Sequence, residues 1–187
     1  MPTESPTPSV RIRASLWLAN LLLLLLFGGL AYLFIVREMR FFIVPSSSME
    51  PTLLQGDRII TLNDDHYQRG DVVVLWDDDI NDFIVKRIAG INGDEVSIEG
   101  GALFLNGAYA SEPYVAEPME YEFKPMSRVA PGQVLLLGDN RNHSDDSSMT
   151  HHTYPVDKII GRVRYIYYPL PRRAPMPQFP LQNSLGH

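Results

Sequence analysis

Asp82-Phe83-Ile84-Val85-Lys86-Arg87-Ile88 alternates as a β-strand does, and it sets a lysine among apolar side chains. Successive residues of a strand face opposite ways, so Ile84, Lys86 and Ile88 share one face and Arg87 points to the other. Desolvation disfavours the charged form of a lysine. Bringing the amine from about 10.4 to about 7 or 8 costs roughly 4 kcal/mol, at about 1.36 kcal/mol per pKa unit. Two readings stand: an amine tuned for proton transfer, or a side chain whose head reaches water or a carboxylate.

Similar patterns surround this strand. Gly56-Asp57 precedes Arg58–Leu62 and Arg69-Gly70-Asp71 precedes Val72–Trp76, two strands opened by turns. A third covers Phe83–Ala89. Glu95–Glu99 and Ala102–Asn106 flank Gly100-Gly101, a hairpin signal. Val134–Leu137 and Ile159–Tyr168 complete the set. No long helical period occurs in this part of the chain, so the expected fold class is mainly β.

The one long apolar run lies near the N-terminus. Leu16–Val36 is 21 residues whose only strongly polar side chain is Asn20. As a helix it measures about 31 Å at about 1.5 Å per residue, enough to cross a bilayer. Trp17 and Tyr32 lie near its ends, where aromatic side chains suit the headgroup region. A cleaved signal peptide has a shorter core ending at small residues, whereas this run exits into Val36-Arg37-Glu38-Met39-Arg40, as a retained anchor does. Arg11 and Arg13 on one side nearly balance Arg37 and Arg40 on the other, so charge leaves orientation almost tied. Export of the folded part places the N-terminus inside. The expected division is a disordered tail over 1–11, a transmembrane anchor over 12–36, an extracytoplasmic domain over 37–170 and a proline-rich C-terminal tail over 171–187.

Composition removes several classes. The chain has 187 residues and a net charge of -6, which argues against a nucleic-acid partner. It has no cysteine, hence no disulfide framework, thiolate nucleophile or Cys-ligated metal. Its sixteen cations are thirteen arginines and the lysines 86, 124 and 158, so an amine base has few candidates.

One of these lysines has a possible partner in Val44-Pro45-Ser46-Ser47-Ser48-Met49-Glu50-Pro51-Thr52. Serine and proline are ordinary turn residues, and a polar loop is the plain reading. The apolar Phe41-Phe42-Ile43-Val44 before it and the two flanking prolines suit a stiff presentation of one hydroxyl instead. A serine hydroxyl needs a neighbouring base to become a nucleophile. His143, His151 and His152, with Asp145 and Asp146, could be read as part of a triad or a metal site, but the stretch has loop composition and no clear ligand spacing. Solvated loop histidines are the default, and no metal or cofactor is expected.

These blocks together resemble the type I signal peptidases, membrane-anchored Ser/Lys proteases that remove signal peptides from exported proteins. The resemblance covers about Leu16 to Arg173. It rests on Pro45–Leu54 with Gly56-Asp57, on Arg69-Gly70-Asp71-Val72-Val73, and on Lys86-Arg87-Ile88-Ala89-Gly90 with Gly93-Asp94. Glu112-Pro113-Tyr114, Gly138-Asp139-Asn140-Arg141, Ser144 with Asp146 and Ser147, and Ile160-Gly161-Arg162 follow in the family's order.

The resemblance implies a β-rich signal-peptidase-like catalytic domain behind one transmembrane helix. It implies Ser48 as nucleophile, Lys86 as general base, Ser46 and the Ser48 N–H as the oxyanion hole, and Ser144 as the residue orienting the lysine. Asp139, Arg141 and Asp146 are implied as structural support. Two departures concern the loop around Ser144. Ser148 stands where the family often has an arginine to pair with Asp146, and His151-His152-Thr153-Tyr154-Pro155 replaces an aromatic-Gly segment. The implied partners are preprotein signal peptides and the lipid bilayer, and the implied location is the cell membrane, single-pass with a cytoplasmic N-terminus.

Val36 to Ser48 is twelve residues, reaching at most roughly 40 Å at about 3.3 Å each, so the serine can work at the membrane surface. Phe41, Phe42 and Met49 are expected to form an apolar skirt towards lipid. The alternatives are a dedicated Ser/Lys processing protease with a narrow substrate, or an inactive membrane-anchored binding domain.

Overall fold

The computed structural model describes residues 8–124, 127–179 and 181. The chain divides into two compact units, 1–39 and 40–187. The first is helix α1, Pro8–Glu38. Within it Leu16–Phe34 forms a segment of mean hydropathy 2.1 whose side chains are not buried in the protein, apolar on all sides and long enough to cross a bilayer. The helix starts earlier than the anchor expected over 12–36: Pro8 to Arg11, placed in the tail, already belong to it. Residues 1–7 and 182–187 of the two expected tails lie outside the described residues.

The second unit is built on strands: β1 Met39–Ile43, β2 Arg58–Leu62, β3 Val72–Asp77, β4 Asp82–Gly90, β5 Val96–Glu99, β6 Ala102–Leu105, β7 Ala108–Tyr109, β8 Gln133–Leu137, β9 Tyr154–Pro155, β10 Ile159–Tyr168 and β11 Ala174–Pro175. The large sheet runs β1-β2-β10-β3-β4-β8-β9, with β11 added beside β10. A second sheet is β5-β6-β7. The mainly β expectation holds, and the turn between β5 and β6 is the expected Gly100-Gly101. Both glycines have positive φ, 57° and 79°, which two-residue hairpins of this hand require.

β3 shows why the large sheet forms. Val72 and Val74 pack with Val85, Val163 and Ile166, whereas Val73 and Leu75 pack with Ile88, Leu136 and Ile159. A strand covered on both faces reads as an unbroken apolar run, which is what Val72-Val73-Val74-Leu75-Trp76 is. β4 pairs with it antiparallel, Val73 against Lys86 and Val72 against Arg87, so those two cations enter opposite cores. Arg87 therefore points the other way as expected, yet it is buried too.

Two expectations fail. Met49 is fully buried with Val44, Leu53 and Ile59, so it belongs to the core and not to a skirt; Phe41 and Ile43 are the exposed apolar residues of that region. The proline-rich segment does not stop packing at residue 170. Ala174–Pro175 pairs with β10, Met176 enters the same core as Met49, and Leu181 is buried among Val96, Leu105 and Leu135.

Candidate active site

Ser48 sits on a turn with anchored ends. The Val44 N–H donates to the Asp57 carbonyl at 2.8 Å, the Gly56 N–H to the Val44 carbonyl at 2.9 Å, and the Leu53 N–H to the Met49 carbonyl at 2.9 Å. Met49 and Leu53 then plug the turn into the core. Ser48 itself is half-buried. Ser46 Oγ donates to Ser48 Oγ at 3.2 Å, and among the described residues the Ser48 N–H makes no hydrogen bond.

Lys86 projects from the middle of β4 and is 4% exposed. Its Nζ donates to Ser144 Oγ at 2.8 Å, a contact buried on both sides. Among the described residues no hydrogen bond joins Lys86 to Ser48. Gly138 marks how tightly the two halves meet. A Cβ there would collide with both Ser144 Oγ and the Ser48 carbonyl oxygen, so the Ser48 turn and the Ser144 loop converge on one glycine. The Asn140 N–H completes the junction by donating to the Ser48 carbonyl at 3.0 Å.

Burial lowers the Lys86 pKa below the ordinary lysine value, and the carboxylates of Asp146, Asp145, Asp139 and Asp77 oppose it. One of them, Asp139, is neutralised: Arg87 Nε and Nη2 donate to its two oxygens at 2.8 and 2.6 Å. The guanidinium also stacks over Tyr114, 3.9 Å from the ring centre. The same carboxylate receives Thr52 Oγ1 at 2.5 Å, linking the Ser48 turn to the strand of the lysine.

Asp146 is different. It is fully buried and, among the described residues, has no ion-pair partner. Its carboxylate accepts from the Gly138 N–H at 2.8 Å, the Ser148 N–H at 3.0 Å and Ser148 Oγ at 2.7 Å. Ser148 thus answers the question raised by the missing arginine: three neutral donors hold the carboxylate. Tyr121 lies 3.2 Å from Ser148 Oγ and extends the chain of contacts.

Arg141 is buried and paired with Glu112 through Nη1 at 2.7 Å and Nη2 at 2.5 Å, while its Nε donates to the Gly138 carbonyl at 2.9 Å. His151 ends the short helix α2, Ser147–Thr150, in the left-handed region and stacks on Phe123, 5.5 Å between ring centres. Among the described residues no histidine bonds Ser48 or Lys86.

The structure therefore gathers Ser48, Ser46, Lys86 and Ser144, with Asp139, Arg141 and Asp146 beneath them. Thr52, Arg87, Glu112 and Tyr121 join the same network without having been singled out as site residues. Arg87 carried a signal, a cation in a strand apolar on both sides; Thr52 and Glu112 lay within the blocks that resemble the family, and Tyr121 carried no signal outside the fold.

The family model described as signal peptidase, peptidase S26, matches residues 15–168. The chain belongs to this family. It is 40% identical over 149 residues to a probable signal peptidase I-2 of Synechocystis sp., covering 73% of this chain and 66% of that protein. To the thylakoidal processing peptidase 1 of Arabidopsis thaliana it is 38% identical over 144 residues, covering 67% of this chain and 41% of that one. To a probable signal peptidase I-1 of Synechocystis sp. it is 32% identical over 190 residues, covering 95% and 92%. The chain thus spans somewhat less than two thirds of the first relative's length and about two fifths of the second's. The S26 match takes in both the turn of Ser48 and the strand of Lys86.

Proposed function

We propose that this S26 chain is a serine endopeptidase that cleaves signal peptides from exported preproteins through an acyl-enzyme. The observation that carries the reading is a buried lysine amine held by a serine hydroxyl beside a turn that presents Ser48. Neutral Lys86 takes the Ser48 proton as Oγ attacks the carbonyl that follows a small residue. The developing oxyanion accepts from the Ser48 N–H and from the Ser46 hydroxyl, which turns to it from Ser48 Oγ. Lys86, now an ammonium facing Asp146, returns the proton to the leaving amine. Water then adds to the ester, losing a proton to Lys86, which passes it to Ser48 Oγ as the ester bond breaks, so that the serine hydroxyl and the neutral amine are restored. Ser144 orients the amine throughout, while Asp139, Arg141 and Asp146 hold the loops.

The proposal extends to location. Residues 12–36 anchor the chain as a single pass with the N-terminus cytoplasmic, and the catalytic domain from residue 37 works outside at the bilayer surface. The exposed Phe41 and Ile43 support contact with lipid.

The reading is tested in detergent with a set of preproteins. Ser48→Ala and Lys86→Met should each abolish cleavage while leaving the circular dichroism spectrum unchanged. Cleavage retained by either variant removes that residue from the mechanism. A set of preproteins of which only one is cut would favour a dedicated processing enzyme. Failure of a serine-directed acylating inhibitor to label Ser48 in folded protein would favour a binding domain.

A further inference from the structure

The segment beyond β10 reaches back to the turn that bears Ser48. A 3-10 turn at Leu170–Arg172 leads into β11, which pairs Pro175 with Tyr165 and Ala174 with Ile166. The Met176 N–H then donates to the Arg164 carbonyl at 2.9 Å, which fixes the course of the segment along the sheet.

Two side chains of this segment engage the nucleophile turn. Arg172 Nε lies 3.0 and 3.1 Å from the two Asp57 oxygens, and its Nη2 donates to Asp57 Oδ2 at 2.9 Å and to the Thr52 carbonyl at 3.1 Å. Asp57 is almost wholly buried and also accepts the Leu54 N–H at 2.9 Å. Met176, four residues on, is buried in the cluster that holds Met49 and Leu53. Met49 is the residue after Ser48. Thr52 is thereby held twice, at its carbonyl by Arg172 and at its hydroxyl by Asp139.

We propose that Arg172 is a positioning residue for Ser48: it closes the loop Thr52–Asp57 from outside and so sets the angle at which the turn presents the hydroxyl. The inference rests on the reading that Ser48 is the nucleophile. The physical basis is the forked, charge-assisted contact, which fixes direction as well as distance. Without it the Asp57 carboxylate loses its cation and the Thr52 carbonyl loses its donor, and the turn is free to relax. Displacement of a reacting atom by about 1 Å can cost about 100-fold in rate while substrate binding is retained.

The test uses the full-length protein in detergent. Arg172→Gln, Arg172→Lys and, as a control, Arg173→Gln are compared with wild type in kcat and KM on a preprotein peptide, and in the rate at which a serine-directed acylating inhibitor labels Ser48. Assays run well below each variant's melting temperature. Arg172→Gln should lose about tenfold or more in kcat and labelling rate with KM within about twofold. Arg172→Lys should recover part of the loss, and Arg173→Gln should match wild type. A folded Arg172→Gln enzyme with wild-type kcat overturns the proposal. If Arg172→Gln does not fold, Arg172→Lys decides: it keeps the charge but not the fork, and an unchanged kcat overturns the proposal. Wild type that neither cleaves nor is labelled overturns the functional reading itself, and the role of Arg172 with it.

Discussion

Lys86 and Ser144 are 58 residues apart in the chain, and their Nζ and Oγ atoms are 2.8 Å apart in the fold. The contact exists because β4 and β8 pair, Ile88 against Leu136, and the chain then folds back through the turn at Arg141–His143. The amine thereby gains a hydroxyl partner in an environment that favours its neutral form.

That environment has a measurable cost. The folded chain holds the Lys86 proton less tightly than the unfolded chain, so between the lowered folded pKa and the ordinary value of about 10.4 stability rises with pH. The contribution is full above the unfolded value and lost as pH falls through the folded one. Lys86→Met removes this dependence and should raise the melting temperature at neutral pH, with the gain shrinking as the buffer becomes more alkaline. Calorimetry from pH 7 to 10 provides the check, and a variant less stable than wild type at pH 7 would contradict the account.

Asp146 is a buried carboxylate that, among the described residues, makes no ion pair, and its charge acts on Lys86 together with those of Asp145, Asp77 and the Arg87-paired Asp139. Asp146→Asn removes the largest of the charges that oppose the fall of the lysine pKa. The acid limb of kcat/KM against pH should therefore move to lower pH, since Lys86 would then lose its proton sooner. A limb that stays in place would show that Asp146 acts through structure alone.

Ser148→Ala deletes the hydroxyl that donates to Asp146 at 2.7 Å while sparing the two backbone donors. Hydrogen bonds to charged groups contribute about 1.5 to 3 kcal/mol, and a loss in that range is expected in urea titrations.

Asp139→Asn leaves Arg87 buried without its anion. Breaking such a pair on one side costs about 3 to 5 kcal/mol, at or above the upper end of the effect expected at Ser148. Equilibrium unfolding should rank the two variants in that order, and the reverse order would mean that the Gly70 carbonyl and the Tyr114 ring suffice to hold the guanidinium.

Gly138→Ala places a methyl group against Ser144 Oγ and the Ser48 carbonyl oxygen at once. Either the Ser144 loop or the nucleophile turn must shift, and about 100-fold loss of kcat is expected with secondary structure retained. Wild-type turnover by this variant would mean that both loops yield without disturbing the chemistry.

Short-range patterns were enough to show the strands that carry the site. Arg58–Leu62, Val72–Trp76, Phe83–Ala89 and Ile159–Tyr168 each have several residues in which apolar positions repeat, and each became a strand at nearly those bounds. β7, β9 and β11 have two residues apiece and no period of their own; the edge beside which the chain happens to pass makes them strands.

The sequence by itself determined the apolar helix, the β-rich unit and the placement of Lys86 on an apolar face, because helix length and strand alternation depend on neighbours along the chain. Tertiary structure alone decided that Met49 is core, that the proline-rich end reaches the nucleophile turn through Arg172, and that a serine hydroxyl satisfies Asp146. Each of these depends on groups brought together from separate turns and strands, and the geometry of a hydrogen bond or a packed methyl group is set only when those elements meet.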